Sequence, residues 1–348
     1  MEKNLTNALN EQLLQLDSFR NKTKKKIVFT VGNTRVLDNS NYYLTPIRIV
    51  DDLIIAGVVL FSELEGKTVF ELIDGRIDYI FVDCEKKSKN MTQGFFNLER
   101  LSVELIRKSK LNFYKGNDIT VDSIDSFVFQ YYKSINQLIG GKNILIVGIG
   151  NIGFKIALKL VERGANVFLK SRDNSKSNLL INSINCIKPR ETISKVDIHS
   201  NNINYSTIIL THLKPLPDNL EIFENLTNKT TVIDVGKGCL SKDQIAVLNS
   251  LDITPFRLDI GDTFINHIRS NIDNEKKFII PRKKSLLCGH NLIEPGIIGN
   301  KNDVVVDSIK TPSLIYGVCD GFGGFENNKN KEKILKQIKN EYNINYGM

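Results

Sequence analysis

Three glycines with the spacing G-x-G-x-x-G stand between an apolar run and a helical pattern. Gly148, Gly150 and Gly153 follow residues 143–147, where Ile, Leu and Val occur without polar alternation, as in a strand covered on both faces. In a strand–turn–helix unit the first glycine allows a sharp turn, the second a close approach to a pyrophosphate, and the third close helix–strand packing. Residues 164–169 add a second strand at β-α-β spacing. The stretch therefore predicts a dinucleotide-binding site.

The residues after this second strand bear on which dinucleotide is bound. Lys170, Ser171 and Arg172 stand where a carboxylate would contact the ribose 2′-hydroxyl of NAD, and Lys176 follows one helical turn later. A cation beside a hydroxyl favours a 2′-phosphate, and therefore NADP. Asp173 leaves NAD open, because a shift of one residue would place an acid at the ribose. The residues predicted to bind the cofactor are Gly148, Gly150, Asn151, Ile152, Gly153, Ser171, Arg172, Lys176 and Thr211.

Composition is that of a folded soluble protein. Of 348 residues, 41% are apolar and 25% are charged, and the formal charge is +8. The lysines are mostly scattered, which argues against nucleic-acid binding and fits an anionic cofactor and a small-molecule substrate. Five widely spaced cysteines without a C-x-x-C pair argue against disulfides and a metal site. With neither a membrane-span run nor a targeting pattern, we expect a cytoplasmic protein that does not bind membranes.

Helical patterns alternate with strand patterns along most of the chain. This alternation predicts an α/β fold with mostly parallel sheets. We predict a Rossmann dinucleotide-binding domain in the C-terminal half and an N-terminal α/β substrate domain. The predicted segments are a helical arm (1–25), the substrate domain (26–120), a linking helix (121–139), the Rossmann domain (140–270) and a C-terminal segment with a terminal helix (271–348).

The two ends of the chain are the least determined parts. Residues 4–20 form an amphipathic pattern that either packs across the substrate domain or contacts a second subunit, so a homodimer stays open. Beyond 270 the pattern is less regular until 329–342, a lysine-rich helix that we expect to be a solvated terminal element. Other predicted strands are 27–31, 53–61, 77–83, 111–114, 206–211, 230–238 with its turn, and 254–259; other predicted helices are 67–73, 95–108, 116–138, 220–226 and 241–248.

The central part of the chain resembles the superfamily of shikimate dehydrogenase, methylenetetrahydrofolate dehydrogenase and related amino-acid-dehydrogenase-like enzymes. The resemblance covers about residues 115–262, through the glycine stretch 141–153, a Ser-Arg after the second strand, and Val-Ile-Asp-Val-Gly at 232–236. It implies NAD(P)-dependent redox chemistry. In shikimate dehydrogenases an Asn-Thr-Asp at the head of the linking helix supplies a catalytic carboxylate, which implies that role for Asp118. The family's N-terminal lysine motif is not recognisable, so shikimate is not implied as the substrate.

The same region also resembles D-2-hydroxyacid dehydrogenases. Residues 210–217 and 232–241 look like the corresponding stretches of that family, which has an arginine for the substrate carboxylate where this chain has Lys237. The family's catalytic histidine would be His290, which lies in a glycine-flanked loop and lacks the usual preceding proline. This second resemblance stays open as an alternative.

Hydride transfer at a carbon that bears OH or NH needs a group that exchanges a proton, and usually a cation for a substrate carboxylate. The candidates for these roles are Lys86, Asp118, Lys237 and His290. Lys86 follows the carboxyl end of a predicted strand, where parallel sheets place ligand contacts. The lysines are equally interpretable as solvated charges, and Asp118 as a helix N-cap.

These observations predict an NADP-preferring oxidoreductase that acts on a small polar, anionic metabolite, such as a hydroxy acid, ketone or imine, held between two domains. Three alternatives remain open. They are a D-2-hydroxyacid-dehydrogenase-like enzyme, a cofactor-binding or sensing module without turnover, and a glycine loop that binds S-adenosylmethionine.

Overall fold

The computed structural model forms two compact units, residues 1–268 and 269–348. The structure describes residues 2–34, 42–61, 65–85, 98–212, 222–223, 226–236, 238–279, 285–287, 289–309, 311–327, 329–342 and 345–346. Within these ranges, no helix combines the length and the apolarity that crossing a membrane would require.

The first sheet of the larger unit has five strands: β1 (Lys26–Asn33), β2 (Tyr42–Val50), β3 (Leu53–Leu60), β4 (Tyr79–Asp83) and β5 (Lys110–Tyr114). Their order is β2-β3-β1-β4-β5, and all neighbours are parallel except β2 and β3. Alternate residues of β1, Ile27, Phe29 and Val31, lie in one hydrophobic core with residues of three helices. These helices are α1 (Glu2–Thr23), α2 (Gly66–Ile73) and α3 (Leu98–Leu105).

Helix α1, the predicted arm, packs on this first sheet. Leu5, Leu9, Leu13 and Leu16 are 1% exposed or less and belong to the core of the sheet. Their spacing places them on one face of the helix. Of the two arrangements left open for the arm, the structure shows the one in which it packs across the N-terminal domain. A homodimer stays a prediction.

The second sheet has six parallel strands: β6 (Asn143–Val147), β7 (Asn166–Lys170), β8 (Val196–Ile198), β9 (Thr207–Leu210), β10 (Thr231–Asp234) and β11 (Phe256–Arg257). Their order is β8-β7-β6-β9-β10-β11. Numbered within the sheet this is 3-2-1-4-5-6, the order of the doubly wound Rossmann fold. The predicted α/β class, with a Rossmann domain after an N-terminal α/β domain, is confirmed.

Both faces of the second sheet are covered, as its uninterrupted apolar strands predict. Helices α4 (Gly116–Ser134), α5 (Asn151–Glu162) and α6 (Asn174–Ile187) share one core with the sheet. Helix α7 (Lys242–Ser250) contributes to the core on the other face. Helix α8 (Gly261–Ile279) follows the last strand.

The smaller unit contains a sheet of its own, which corrects the expectation of a less regular C-terminal segment. Its strands are β12 (Ser285–Leu287), β13 (His290–Ile293), β14 (Val304–Val306), β15 (Leu314–Val318) and β16 (Asn345–Tyr346), in that order across the sheet. Helix α9 (Lys329–Tyr342) is not merely solvated, because Ile334 and Ile338 are buried in one core with Leu292 and Val304. The strands escape sequence-based prediction because they are short and separated by irregular loops.

Two strands of the larger unit lack the pattern by which the others are predicted. Strand β2 is an edge strand with no fully buried residue, and β8 buries only Val196. Helix α4 ends at Ser134, earlier than predicted. Most of the predicted helix 220–226, and the start of the helix predicted at 95–108, lie outside the described residues.

Candidate functional site: the carboxyl edges of the two sheets

The loop between β6 and α5 requires glycine at two of its three glycine positions. Gly148 has a φ of +98°, which residues with a side chain rarely adopt. A Cβ on Gly153 would lie 2.1 Å from the carbonyl oxygen of Gly148. Only glycine therefore lets the start of α5 approach the end of β6. Both requirements arise from the backbone of the protein itself.

Gly150 differs from these two glycines, because nothing around it excludes a side chain. Its backbone is extended, with φ −87° and ψ −162°, and an added Cβ would meet no atom within 4 Å. Gly150 is the N-cap of α5, whose first turn contains no acidic residue. No side chain in the described part of the chain caps these first N–H groups. The loop thus leaves space, free donors and the positive end of a helix dipole for an anion, and a dinucleotide's diphosphate fits it.

Strands β6 and β9 are neighbours at the point where the strand order of the second sheet reverses. The hydroxyl of Thr211, just after β9, lies 2.6 Å from the carbonyl oxygen of Gly148 and donates to it. This bond ties the two carboxyl ends together and holds the glycine loop. In open α/β sheets, ligands bind outside the carboxyl ends of strands at such a reversal. Thr211 therefore has a positioning role, and its predicted contact with the cofactor stays a prediction.

Asp234 organises the loop after β10 and is a residue of this edge that the sequence-based prediction misses. It is 6% exposed, and its carboxylate accepts the N–H of Gly238 at 2.9 Å. The thiol of Cys239 donates to the carbonyl oxygen of His212 at 2.9 Å. Burial, together with the nearby Asp234 carboxylate, raises the pKa of Cys239 to about 12, so the thiol stays neutral. The sequence signal that could have identified Asp234 is an acidic residue at the end of an otherwise apolar strand.

The loop between β7 and α6 holds two of the predicted cofactor contacts, Ser171 and Arg172, and a third, Lys176, lies in the first turn of α6. Asp173 is the N-cap of α6, and its carboxylate accepts the N–H of Lys176 at 3.0 Å. The Ser171 hydroxyl accepts the N–H of Asp173 at 3.1 Å. Arg172 and Lys176 are exposed, and neither side chain has an ion pair or hydrogen bond with the residues that the structure describes. Both cations are available to an external anion, whereas Asp173 has a structural role.

Helix α4 starts at the carboxyl edge of the first sheet, and carboxylates cover its first turn. Asp83, the last residue of β4, lies with its Oδ1 3.4 Å from the N–H nitrogen of Gly116. Glu85 accepts the N–H of Asn117 at 2.8 Å. Asp118 adds a third carboxylate in the same turn. The protein's own anions therefore satisfy the dipole at the start of α4.

Helices α4 and α5 are joined along their length by ion pairs. Each pair links an aspartate of α4 to a cation of α5, and the pairs are Asp118–Lys155, Asp122–Lys159 and Asp125–Arg163. Partners advance together along both helices, so the helices run parallel and start at the same end. The carboxyl edges of the two sheets, from which α4 and α5 begin, therefore lie at one end of this helix pair.

The carboxyl edge of the first sheet carries further polar groups. Its strand order reverses around β1, so the space beside β1 and β4 is a second position that favours ligands. Asn33, the last residue of β1, donates its side-chain N–H to the carbonyl oxygen of Glu85 at 3.1 Å. Burial, with smaller contributions from the charges of Asp83 and its neighbours, raises the pKa of Tyr114 well above its usual range. Tyr114 therefore stays protonated and can donate a hydrogen bond.

Of the four predicted catalytic residues, the structure describes two, Asp118 and His290. Lys86 and Lys237 lie outside the described residues. Asp118 forms an ion pair with Lys155. His290 belongs to the smaller unit and lies at the start of β13 rather than in a loop, because Gly289, at φ +77°, makes the preceding turn. Their catalytic roles stay predictions.

Comparison with known proteins finds similar folds without assigning a family. No protein-family model matches the chain, and no curated protein matches it. The A chain of dipicolinate synthase from Bacillus subtilis aligns with 72% of this chain and 97% of its own, at 12% identity and a TM-score of 0.34. Shikimate dehydrogenase in complex with NADP+ aligns with 67% of this chain and 84% of its own, at 13% identity and a TM-score of 0.37. The 5-ketofructose reductase of Gluconobacter sp. strain CHM43 aligns with 70% of this chain and 90% of its own, at 14% identity and a TM-score of 0.38. Similarity this low assigns neither a superfamily nor a substrate.

Proposed function

We propose that this protein is an NADP-preferring oxidoreductase that transfers hydride to or from a small polar, anionic metabolite. The observation that carries the proposal is the start of α5. It lies at the strand-order reversal of a 3-2-1-4-5-6 sheet, and Gly150 leaves room there beside uncapped N–H groups. This combination suits the diphosphate of a dinucleotide.

A bound nicotinamide dinucleotide supplies the hydride donor or acceptor. The residues of this chain bind and orient it. The N–H groups of Asn151, Ile152 and Gly153 bind the diphosphate, and Gly150 keeps side chains away from it. Thr211 holds the loop through its bond to Gly148.

The loop before α6 supports the preference for NADP. Arg172 and Lys176 offer two cations to a 2′-phosphate. Asp173, the residue that left NAD open, uses its carboxylate to cap α6. A carboxylate tied to a helix N-terminus is a weaker partner for a ribose hydroxyl than a free one.

The proposed substrate site is the carboxyl edge of the first sheet, which lies at the same end of the α4–α5 pair as the dinucleotide loop. We assign the phenol of Tyr114 as a hydrogen-bond donor to the substrate, because its hydroxyl lies beside Gly32 of β1 and burial keeps it protonated. We assign binding of a substrate carboxylate to Lys86 or Lys237, and proton exchange to Lys86 or Asp118.

The first experiment measures binding of NADPH and NADH to the purified chain by calorimetry and by nicotinamide fluorescence. We expect micromolar affinity for NADPH and weaker binding of NADH. Absence of binding at millimolar cofactor would exclude the oxidoreductase proposal.

Cofactor preference is tested at two adjacent residues. Arg172→Ala removes a charge-assisted contact of about 1.5–3 kcal/mol, so NADPH should bind about 10- to 100-fold more weakly and NADH almost unchanged. Asp173→Asn keeps an N-cap side chain and removes a negative charge, so it should improve NADPH binding. An equal loss of both cofactors in Arg172→Ala would show that the 2′-phosphate site lies elsewhere.

A second candidate is a cofactor-binding or sensing protein without turnover. The ion pair that Asp118, the predicted catalytic carboxylate, forms with Lys155 favours it. Tight NADPH binding without oxidation or reduction across a panel of hydroxy acids, ketoacids and imines would support this candidate over the enzyme.

A further inference from the structure

Ser177 is a buried hydroxyl behind the loop to which we assign the 2′-phosphate. It lies in the first turns of α6 and is 1% exposed. Its Oγ is 2.8 Å from the Oγ of Ser171 and 2.8 Å from the carbonyl oxygen of Asp173. Ser171 Oγ is in turn 2.9 Å from that same carbonyl oxygen. Three oxygens at the start of α6 therefore form a closed triangle.

Each side of this triangle has the length of a hydrogen bond, but the two serine hydroxyls supply only two protons, so at most two of the three bonds exist at one time. The carbonyl oxygen of Asp173 also accepts the backbone N–H of Ser177 at 3.0 Å, so it keeps a partner when neither hydroxyl donates to it. Ser171 Oγ also accepts the N–H of Asp173. The triangle therefore tolerates either direction of the Ser171–Ser177 bond without leaving a buried group unsatisfied.

We propose that Ser177 is a positioning residue that turns Ser171 into a hydrogen-bond donor for a 2′-phosphate, an inference that rests on the proposed function. When Ser177 donates to Ser171 Oγ, that oxygen accepts two bonds, one from Ser177 and one from the N–H of Asp173. Its own proton then points away from both donors, towards the carbonyl oxygen of Asp173 in this structure, and a bound phosphate would replace that carbonyl oxygen as its acceptor. No covalent O–H bond breaks in this exchange, because the two hydroxyls rotate and only their hydrogen bonds to the carbonyl oxygen of Asp173 are replaced.

The donated bond also strengthens the outward one. A hydroxyl that accepts a hydrogen bond becomes a better donor, because chains of hydrogen bonds polarise one another. A 2′-phosphate accepts without donating, so it selects the arrangement in which Ser171 points outward. A ribose 2′-hydroxyl is neutral and can itself donate, so it depends less on this arrangement. Ser177 should therefore affect the discrimination between phosphorylated and unphosphorylated ribose.

The experiment uses adenosine 2′,5′-bisphosphate and 5′-AMP, which carry the adenosine end of the cofactor without nicotinamide. Calorimetry of the full chain with Ser177→Ala should show binding of the bisphosphate weakened by about three- to tenfold, the range of one hydrogen bond, and AMP changed by less than about twofold. Ser183→Ala is the matched control, since within the described ranges the Ser183 hydroxyl of the same helix bonds only the carbonyl oxygen of Leu179, at 2.8 Å. It should leave both affinities unchanged.

A double-mutant cycle tests whether Ser177 acts through Ser171. In a Ser171→Ala background, Ser177→Ala should cause no further loss of the bisphosphate. A full additional loss there, or an unchanged bisphosphate-to-AMP ratio in Ser177→Ala, would overturn the inference while the proposed function stands. Should Ser177→Ala not fold, Ser177→Cys keeps the volume with a weak donor and should show the same direction. A wild-type chain that binds neither the bisphosphate nor NADPH would instead overturn the proposed function and this role with it.

Discussion

Helices α4 and α5 run parallel and start at the same end, yet their first turns are built in opposite ways. The start of α4 is covered by carboxylates, with Asp83 and Glu85 at the N–H groups of Gly116 and Asn117. The start of α5 has no acidic residue and no side-chain cap among the described residues. The same dipole is thus neutralised by the protein in one helix and left for a ligand in the other.

The difference shows which of the two helix starts is available to an anionic ligand. A helix N-terminus is favourable for any anion, so its presence alone is uninformative. What distinguishes α5 is that an ordinary requirement, a cap, is missing, and that Gly150 keeps the space open although the backbone would accept a side chain. The ion pairs between α4 and α5 hold both starts at the carboxyl edges of the sheets.

Converting the start of α5 into one like that of α4 should have the largest effect. Gly150→Asp places a carboxylate at the N-cap in open space, where it can accept the N–H groups that we assign to the diphosphate and also repel it. We expect NADPH to bind at least about 100-fold more weakly, as for the loss of two charge-assisted hydrogen bonds. Calorimetry of NADPH binding and urea unfolding check affinity and stability separately.

Two substitutions serve as controls for Gly150→Asp. Gly140→Asp adds the same charge at another glycine with open space, at the opposite edge of the sheet, and should leave NADPH binding unchanged. Gly153→Ala should instead destabilise the fold, because its Cβ would overlap the carbonyl oxygen of Gly148. A Gly150→Asp protein that is folded and binds NADPH normally would remove the contrast between the two helices.

Removing a cap from α4 should lower the stability of the fold and leave cofactor binding unchanged. Glu85→Ala leaves the N–H of Asn117 without its carboxylate, and we expect a loss of about 1 kcal/mol in the free energy of unfolding. NADPH affinity should stay within about twofold, since the lost cap belongs to α4 and we assign the diphosphate to the start of α5. Glu85→Gln retains an acceptor and should lose less. A large drop in NADPH affinity in Glu85→Ala would show that the two helix starts are not independent.

The smallest effect is expected at the ion pair nearest both helix starts. Asp118 and Lys155 are 41% and 35% exposed, so solvent screens their attraction. Asp118→Asn should lower the free energy of unfolding by about 0.2–1 kcal/mol. The unfolding curves of the wild type and the variant should differ at low salt and converge at high salt, where the attraction is screened. A loss of turnover far larger than this stability change, with NADPH binding intact, would indicate that Asp118 is the catalytic carboxylate.

Local chemistry made the Rossmann half predictable. The glycine spacing, the apolar run of β6 and the second strand of the β-α-β unit lie within a short stretch of chain, so their constraints are readable in order. The small C-terminal sheet was not predictable, because its strands are short and pair across loops. Edge strand β2 was missed because Pro46 interrupts its run of aromatic and aliphatic residues, and proline within such a run argues against a strand.

The amino-acid sequence by itself determined the α/β class, the glycine loop and the cations that follow β7, since each depends on residues close together in the chain. Only the tertiary structure decided which helix start stays uncapped, that Asp173 is bound to its own helix, and that Ser177 lies behind Ser171. These facts depend on where each helix begins and on which side chain each backbone N–H or hydroxyl of its first turn is bonded to, and residue types alone do not specify that. A sequence records which donors and acceptors exist, and the fold decides which of them are already paired.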